Sequence, residues 1–135
     1  MKFPDNWSTV DKLNRLERMV LLHSIIYYDM NESVITDDYY NKLARLLAKK
    51  VVRYKGTKTF EKTMYSYVFE DYTDGSTGFD LIYKLKKKDF EYLKILASHV
   101  IYRYKEGLQR EKNSNKVANG SRKNTNKRVG SGSRT

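Results

Sequence analysis

The spacing of apolar residues near the start of the chain constrains the fold more than any other sequence feature. Between Thr9 and Tyr28 these residues recur at steps of three and four, as Leu13, Leu16, Val20 and Tyr27, with Met19, Leu22 and Ile26 widening the stripe. A stripe of this period forms one face of an amphipathic α-helix. Because serine and threonine side chains accept hydrogen bonds from the free amides of a first helical turn, we expect a cap at Ser8 or Thr9.

A second helix is predicted after a break in the pattern at residues 29–33. Thr36 is a suitable N-cap for it. The helix carries five apolar or aromatic residues at helical spacing: Tyr39, Tyr40, Leu43, Leu46 and Leu47. Residues 51–54 can extend it, and Gly56 ends this helix or the segment after it. The first fifty residues are therefore predicted to form a helical hairpin.

The middle of the chain is less uniform. Residues 58–72 fit a helical face and a strand alike, because aromatic and β-branched residues are frequent there. Thr77 and Asp80 have the spacing of a capping box, which predicts a helix over residues 78–87. A last amphipathic helix is predicted over residues 89–107, with the glycine at its end as the stop. The expected fold is an all-α bundle of four or five helices without an internal repeat.

The net charge of +11 is concentrated at the end of the chain. Residues 109–135 contain eight Lys and Arg residues against Glu111 alone, a net charge of +7. This segment has too few apolar residues to offset the entropy of ordering, so a helical domain (1–108) followed by a disordered basic tail is predicted. The tail either keeps the protein in solution or binds nucleic acid through salt-dependent contacts. The nucleic-acid-binding candidates are Lys112, Lys116, Arg122, Lys123, Lys127 and Arg128.

Composition also bears on location. The chain has no cysteine, and its start, MKFPDNW, has no apolar signal-peptide core. No uncharged apolar run reaches the length needed to span a membrane. A cytoplasmic protein without a membrane partner is therefore expected.

Residues 27–43 combine several residue types at fixed spacing. The pair Tyr27-Tyr28 is followed by a short acidic loop and then by the run ITDDYYNKL at residues 35–43. This pattern resembles the small N-terminal domain of bacterial NAD-dependent DNA ligases. In that family an aromatic pair ends one helix, and an Ile-(Ser/Pro)-Asp-x-x-Tyr-Asp-x-Leu run opens the next. The resemblance covers about residues 11–50.

The resemblance implies a binding site for NAD or nicotinamide mononucleotide (NMN), because the family's domain closes over the NMN half of NAD. Carried over by position, it assigns to this site Tyr27, Tyr28, Asp37, Tyr40 and Asn41, the last standing where the family usually has aspartate. Tyrosine faces attract a cationic nicotinamide ring, and a carboxylate with hydroxyls can hold the ribose. A structural explanation stays open, in which Tyr27 packs on Tyr40 and Asp37 stabilises its helix terminus.

Ligase chemistry is not expected. The family's adenylating lysine lies in a Lys-x-Asp-Gly motif, whereas Asp74-Gly75, the one Asp-Gly pair of this sequence, has Tyr72 at the lysine position. Neither a nucleotidyltransferase domain, an oligonucleotide-binding barrel nor zinc-binding cysteines can be recognised. No nucleophile lies beside an identifiable base, so we predict that the protein is not an enzyme.

Other candidate sites have structural explanations. His23 and His99 lack cysteine partners, so surface or half-buried histidines are predicted rather than a metal site. An acidic cluster does not follow the calcium-loop pattern, and turn and capping roles account for it; it comprises Glu70, Asp71, Asp74 and Asp80. The lysine run at residues 84–88 is interpreted as a solvated helix junction rather than a nucleic-acid face.

Three functions fit these observations. The first is a non-catalytic adaptor derived from a ligase-like domain, whose helical body binds a protein and whose tail binds DNA or RNA. The second is a sensor or sequesterer of NAD or NMN. The third is a phage or mobile-element accessory protein that inhibits a host enzyme or defence system.

Overall fold

The computed structural model describes residues 2–73 and 75–122. Every regular secondary-structure element in these residues is a helix. In chain order these elements are α1 (Thr9–Ser24), a π-helical turn (Ile25–Asp29), α2 (Asp37–Tyr54), α3 (Lys58–Glu61), α4 (Ser66–Phe69), α5 (Gly78–Lys84) and α6 (Lys87–Arg122). The all-α class and the initial hairpin are thus confirmed. The described residues contain six α-helices instead of the four or five expected, because the segment between the hairpin and α5 forms two short helices. Among these helices, none has the length and apolar character needed to cross a bilayer.

The hairpin begins and ends where its capping residues predict. Ser8 and Asp11 form a reciprocal capping box at the start of α1. At the start of α2, the Thr36 hydroxyl accepts from the Tyr39 amide at 3.1 Å. Gly56 follows α2 with a φ of 81°, a conformation that glycine adopts without steric penalty. Each such cap stabilises its helix by about 1 kcal/mol.

The core is built around α1, which packs against α2 and against α5. Its largest contribution comes from the α1 stripe, which includes Leu13, Leu16, Val20 and Leu21, all almost inaccessible to solvent. From α2, Leu43, Leu47 and Val51 complete the hairpin interior. Complete burial of one such side chain contributes roughly 1.5–3 kcal/mol. Burial of this stripe therefore fixes which face of α1 points inward.

The ambiguous segment 58–72 forms two short helices, α3 and α4, joined by turns, and no strand. Thr57 caps α3 by accepting from the Phe60 amide at 3.2 Å. The buried residues of the following stretch recur at steps of three and four: Tyr65, Val68, Phe69 and Tyr72. That spacing places them on one helical side instead of alternating across a strand.

The predicted ends of the last two helices require correction. α5 ends at Lys84 instead of Lys87, and α6 starts at Lys87. The predicted stop at Gly107 is wrong, because α6 continues to Arg122 through the segment 109–122 that the sequence predicted to be disordered. Strong helix formers follow Gly107, and an ion pair one turn apart joins Glu106 and Arg110 at 3.3 Å. Together they offset the penalty of a glycine within a helix, about 1 kcal/mol. Residues 123–135 lie outside the described residues.

The chain divides into two compact units, Met1–Ile101 and Tyr102–Thr135. The first contains α1 to α5 and the beginning of α6, which adds Leu93, Ala97 and Ile101 to the core. In the second, the residues from Tyr102 to Ser114 are exposed, apart from half-buried Gly107. The candidate site described below lies entirely within the first unit.

Candidate functional site

A π-helical turn sets the position of the tyrosine pair. In this turn the Met30 amide donates to the Ile25 carbonyl at 3.0 Å. The acceptor is five residues before the donor, whereas in an α-helix it is four residues before. The Glu32 amide then donates to the Ile26 carbonyl at 2.9 Å. Asn31 reverses the chain direction with a φ of 55°, a left-handed conformation that asparagine tolerates better than most residues. The helix therefore ends in a wide turn at the aromatic pair.

The two tyrosine rings contact each other and remain accessible. Tyr27 and Tyr28 form an edge-to-face pair with ring centroids 4.8 Å apart. Their exposed fractions are 52% and 45%, whereas the preceding Ile25 and Ile26 are buried. About half of each tyrosine side chain is thus available to a ligand while the isoleucines anchor the turn in the core.

The turn, the following loop and the start of α2 surround a cavity of about 270 Å³. We call it the first cavity. Its lining residues are His23, Ile26, Tyr27, Tyr28, Glu32, Ser33, Val34, Ile35, Asp37, Tyr40 and Asn41. All five residues that the ligase resemblance assigns to a nucleotide site are among them: Tyr27, Tyr28, Asp37, Tyr40 and Asn41. The structure therefore brings the predicted site residues together around one cavity.

The first cavity has an acidic and aromatic lining on a basic protein. Glu32 and Asp37 supply carboxylates, and none of the described residues that line this cavity is lysine or arginine. Carboxylates and the faces of tyrosine rings both favour positive charge. The lining thus favours a cationic, planar group.

His23 adds a buried polar group to this lining. It is only 6% exposed, so the prediction of a surface or half-buried histidine is wrong. Its Nδ1 atom is buried without a hydrogen-bond partner. Burial, assisted by the charge of Arg15, lowers the pKa of His23 to about 4, so the imidazole is neutral near pH 7. A buried polar atom without a partner is uncommon and calls for a structural or ligand-related explanation.

Tyr40 is held in place by a short chain of hydrogen bonds. The Ser24 hydroxyl donates to the Val20 carbonyl at 2.7 Å, so in the 2.8 Å contact between Ser24 and Tyr40 the tyrosine hydroxyl is the donor. Burial raises the pKa of Tyr40. Gly78, the first residue of α5, packs directly on this pair, since a Cβ atom at Gly78 would lie 2.4 Å from the Ser24 hydroxyl. α5 therefore supports one side of the first cavity.

Among the described residues, the remaining sequence candidates are not part of the lining of the first cavity. In the part of the chain that the structure describes, no three acidic or histidine residues are grouped so as to hold a metal ion; Asp74 lies outside that part. Lys86 of the lysine run places its ammonium 4.7 Å from the centroid of the Tyr67 ring, a cation–π contact within the fold. Tyr72, which stands at the lysine position of the ligase motif, is buried against Phe69.

The predicted nucleic-acid-binding residues are only partly covered by the structure. Lys112 is exposed on α6. The side chains of Lys116 and Arg122 lie outside the described residues, as do the tail residues Lys123, Lys127 and Arg128.

Sequence reasoning missed three features of the site: the π-turn, the unpaired imidazole of His23 and the support of Tyr40 by Ser24 and Gly78. Asn31 was the one local signal for the turn, because asparagine is enriched in left-handed conformations. The other two depend on contacts between separate helices. Comparison of the chain with protein-family models, curated proteins and solved structures finds no match.

Proposed function

We propose that this protein binds the oxidised, cationic form of a nicotinamide nucleotide in the first cavity, and that it senses or sequesters this ligand without ligase chemistry. The observation that carries the proposal is the composition of the first cavity, in which accessible tyrosines and carboxylates meet without a lysine or arginine among its described lining residues. The resemblance of residues 27–43 to the NMN-binding domain of NAD-dependent DNA ligases supports the same ligand.

Each side chain has a defined role in this proposal. Tyr27 and Tyr28 offer ring faces to the nicotinamide cation, an interaction that contributes roughly 0.5–2 kcal/mol. Asp37 accepts hydrogen bonds from ribose hydroxyls and complements the positive charge. Asn41 retains an acceptor and adds donors where the ligase pattern has a second carboxylate. With Tyr72 in place of the adenylating lysine, bound NAD would stay intact.

Calorimetry on the full chain tests this proposal. We expect NAD+ to bind, and NADH, whose nicotinamide ring is uncharged, to bind several-fold more weakly because the cation–π attraction is lost. Tyr28→Ala should weaken NAD+ binding by about tenfold, which corresponds to about 1.4 kcal/mol. Tyr92→Ala is a matched control, since Tyr92 is 48% exposed on α6 and does not line this cavity. Absence of NAD+ and NMN binding up to millimolar ligand would refute the proposal.

A second candidate function is the adaptor suggested by the charge of residues 109–135. Eight Lys and Arg residues against one Glu give this segment the charge needed for phosphate contacts. In this case exposed apolar side chains of the body, such as Val52 and Ile95, would contact a protein partner, including a host enzyme if the chain is an accessory protein of a phage.

Salt titration of nucleic-acid binding tests this second function. We expect the full chain to bind a DNA or RNA duplex with an affinity that falls steeply with salt. Replacing six basic residues by glutamine should flatten the plot of log K against log salt by about 0.9 per lost phosphate contact; these are Lys112, Lys116, Arg122, Lys123, Lys127 and Arg128. Fluorescence anisotropy provides the measurement. If the unmodified chain has no affinity at low salt, the tail has no nucleic-acid role.

A further inference from the structure

A second cavity adjoins the first and shares one wall with it. Its volume is about 380 Å³, and its lining residues are Tyr28, Asp29, Phe79, Ile82, Tyr83, Leu85, Lys87 and Phe90. Tyr28 also lines the first cavity, so the two spaces meet at this ring. We call this space, formed by the end of the π-turn with α5 and the start of α6, the second cavity.

Four aromatic rings in successive contact run along both cavities. Tyr27 contacts Tyr28, Tyr28 contacts Phe79 with centroids 5.8 Å apart, and Phe79 contacts Tyr83 at 4.9 Å. All four remain accessible, with exposed fractions from 45% at Tyr28 to 75% at Tyr83. Planar bases stack favourably on accessible aromatic side chains.

The two cavities differ in charge. Glu32 and Asp37 line the first. The second contains Lys87, and its carboxylate, Asp29, is paired with Lys94 at 2.9 Å. A ligand that spans both spaces would meet carboxylates at one end and an ammonium group beyond Tyr28. This pattern complements a molecule that has a cationic ring at one end and an anionic linker.

We propose that the second cavity receives the adenosine half of intact NAD+, with the adenine on Phe79 and Tyr83 and the diphosphate close to Lys87. This inference rests on the proposed function and adds that the protein selects the dinucleotide over NMN. The cavity volumes agree with it. The volume of the first cavity alone is slightly below the range typical of small-molecule sites, roughly 300–1,000 Å³. The combined volume of the two cavities lies well within that range.

The test compares NAD+ and NMN binding to the full chain and to Phe79→Ala. In the unmodified protein we expect NAD+ to bind about tenfold more tightly than NMN, because of the added stacking. Phe79→Ala should reduce NAD+ affinity roughly five- to tenfold and NMN affinity much less, because Phe79 reaches the NMN half only through its edge contact with Tyr28. Lys87→Gln should weaken NAD+ binding and reduce its dependence on salt. Tyr92→Ala again serves as the control, and circular dichroism checks that each variant is folded.

The outcomes separate this inference from the proposed function. Equal affinities for NAD+ and NMN, or an equal loss for both ligands in Phe79→Ala, would overturn the role of the second cavity and leave nicotinamide binding intact. If neither NAD+ nor NMN binds, the proposed function fails and this inference fails with it. Binding of ADP-ribose without any binding of NMN would overturn both, since the first cavity would then hold no nicotinamide.

Discussion

Replacing Glu17 by glutamine is expected to stabilise the folded protein at pH 7 by about 3 kcal/mol. Glu17 is completely buried in α1. One of its carboxylate oxygens accepts from the Thr63 hydroxyl at 2.7 Å and the other from the Tyr65 amide at 3.1 Å. Burial, only partly opposed by these hydrogen bonds, raises the pKa of Glu17 from 4.5 to about 7. The folded state therefore favours the protonated side chain.

The sign of the pH dependence follows from this shift. Below pH 4.5 Glu17 is protonated in both the folded and the unfolded chain, and its contribution to stability is fully present. As pH rises through 7, the unfolded chain loses this proton first, and about 3 kcal/mol of stability is lost. Glutamine reproduces the protonated acid. Its oxygen can accept from Tyr65, and its NH₂ group can donate to Thr63, whose single hydroxyl proton then turns to the Phe60 carbonyl oxygen 2.8 Å away.

His23 produces the opposite trend over nearly the same pH range. Its pKa is lowered from 6.5 to about 4, so the stability it contributes is present above pH 6.5 and is lost as pH falls through 4. The two effects are similar in size and opposite in sign, so the unmodified protein should have a nearly flat profile between pH 4.5 and 6.5. In Glu17→Gln the profile should rise with pH, because only the His23 effect remains.

Urea denaturation at half-unit pH steps from 4 to 8 measures both profiles. The difference in unfolding free energy between Glu17→Gln and the unmodified protein should grow by about 3 kcal/mol from pH 4.5 to 7. Glu17→Ala is the contrasting variant, because it leaves the Tyr65 amide and Thr63 hydroxyl without this partner and creates a cavity. It should be destabilised by roughly 2–3 kcal/mol at pH 4.5, and this deficit should shrink towards pH 7, because alanine also removes the titrating carboxyl. A Glu17→Gln difference that does not change with pH would contradict the assignment.

Gly78→Ala should destabilise the fold by about 1–3 kcal/mol and weaken ligand binding in the first cavity. A Cβ atom at this position would lie 2.4 Å from the Ser24 hydroxyl oxygen and 2.6 Å from the Tyr40 hydroxyl oxygen. Neither distance is compatible with van der Waals contact. Because Tyr40 lines the first cavity, relief of the clash must displace either α5 or a wall of the site.

Gly75→Ala provides the matched control for this substitution. Its nearest neighbour would be the Thr73 hydroxyl at 3.8 Å, an ordinary contact, so little loss of stability is expected. Combining Gly78→Ala with Ser24→Ala should restore part of the stability, since it removes the closest clashing atom. Urea denaturation and NAD+ calorimetry give the two readouts. A Gly78→Ala protein as stable as Gly75→Ala would show that the close packing at α5 is unimportant.

The parts of the fold that were predictable from sequence are those encoded over short distances. The caps at Ser8 and Thr36 and the period of the α1 stripe are local signals, and each identified its helix. Burial of Glu17 is not local, because its partners Thr63 and Tyr65 lie more than forty residues away. The continuation of α6 past Gly107 does not follow from the local pattern, because glycine commonly ends a helix, although here strong helix formers follow it.

Less of the candidate site than of the fold could be predicted from the sequence. The five residues around the first cavity came from a resemblance between fixed spacings, and periodicity alone would not have selected them. The absence of cysteine partners for His23 in the sequence carries no information about its burial by residues of other elements. The second cavity could not be anticipated, because Tyr28, Phe79 and Lys87 come from three elements separated in sequence and are brought together only by the packing of α5 and α6.

The π-turn has a consequence for how this site can change during evolution. If residues 25–29 continued as an α-helix, the buried stripe of α1 would extend through them. The wider π-turn instead changes which side chains after Ile26 face the core. Tyr27 and Tyr28 can therefore vary without affecting the packing of Leu16 or Val20. Selection for a new ligand and selection for a stable hairpin then act on separate residues, although these residues are neighbours in one continuous helical segment.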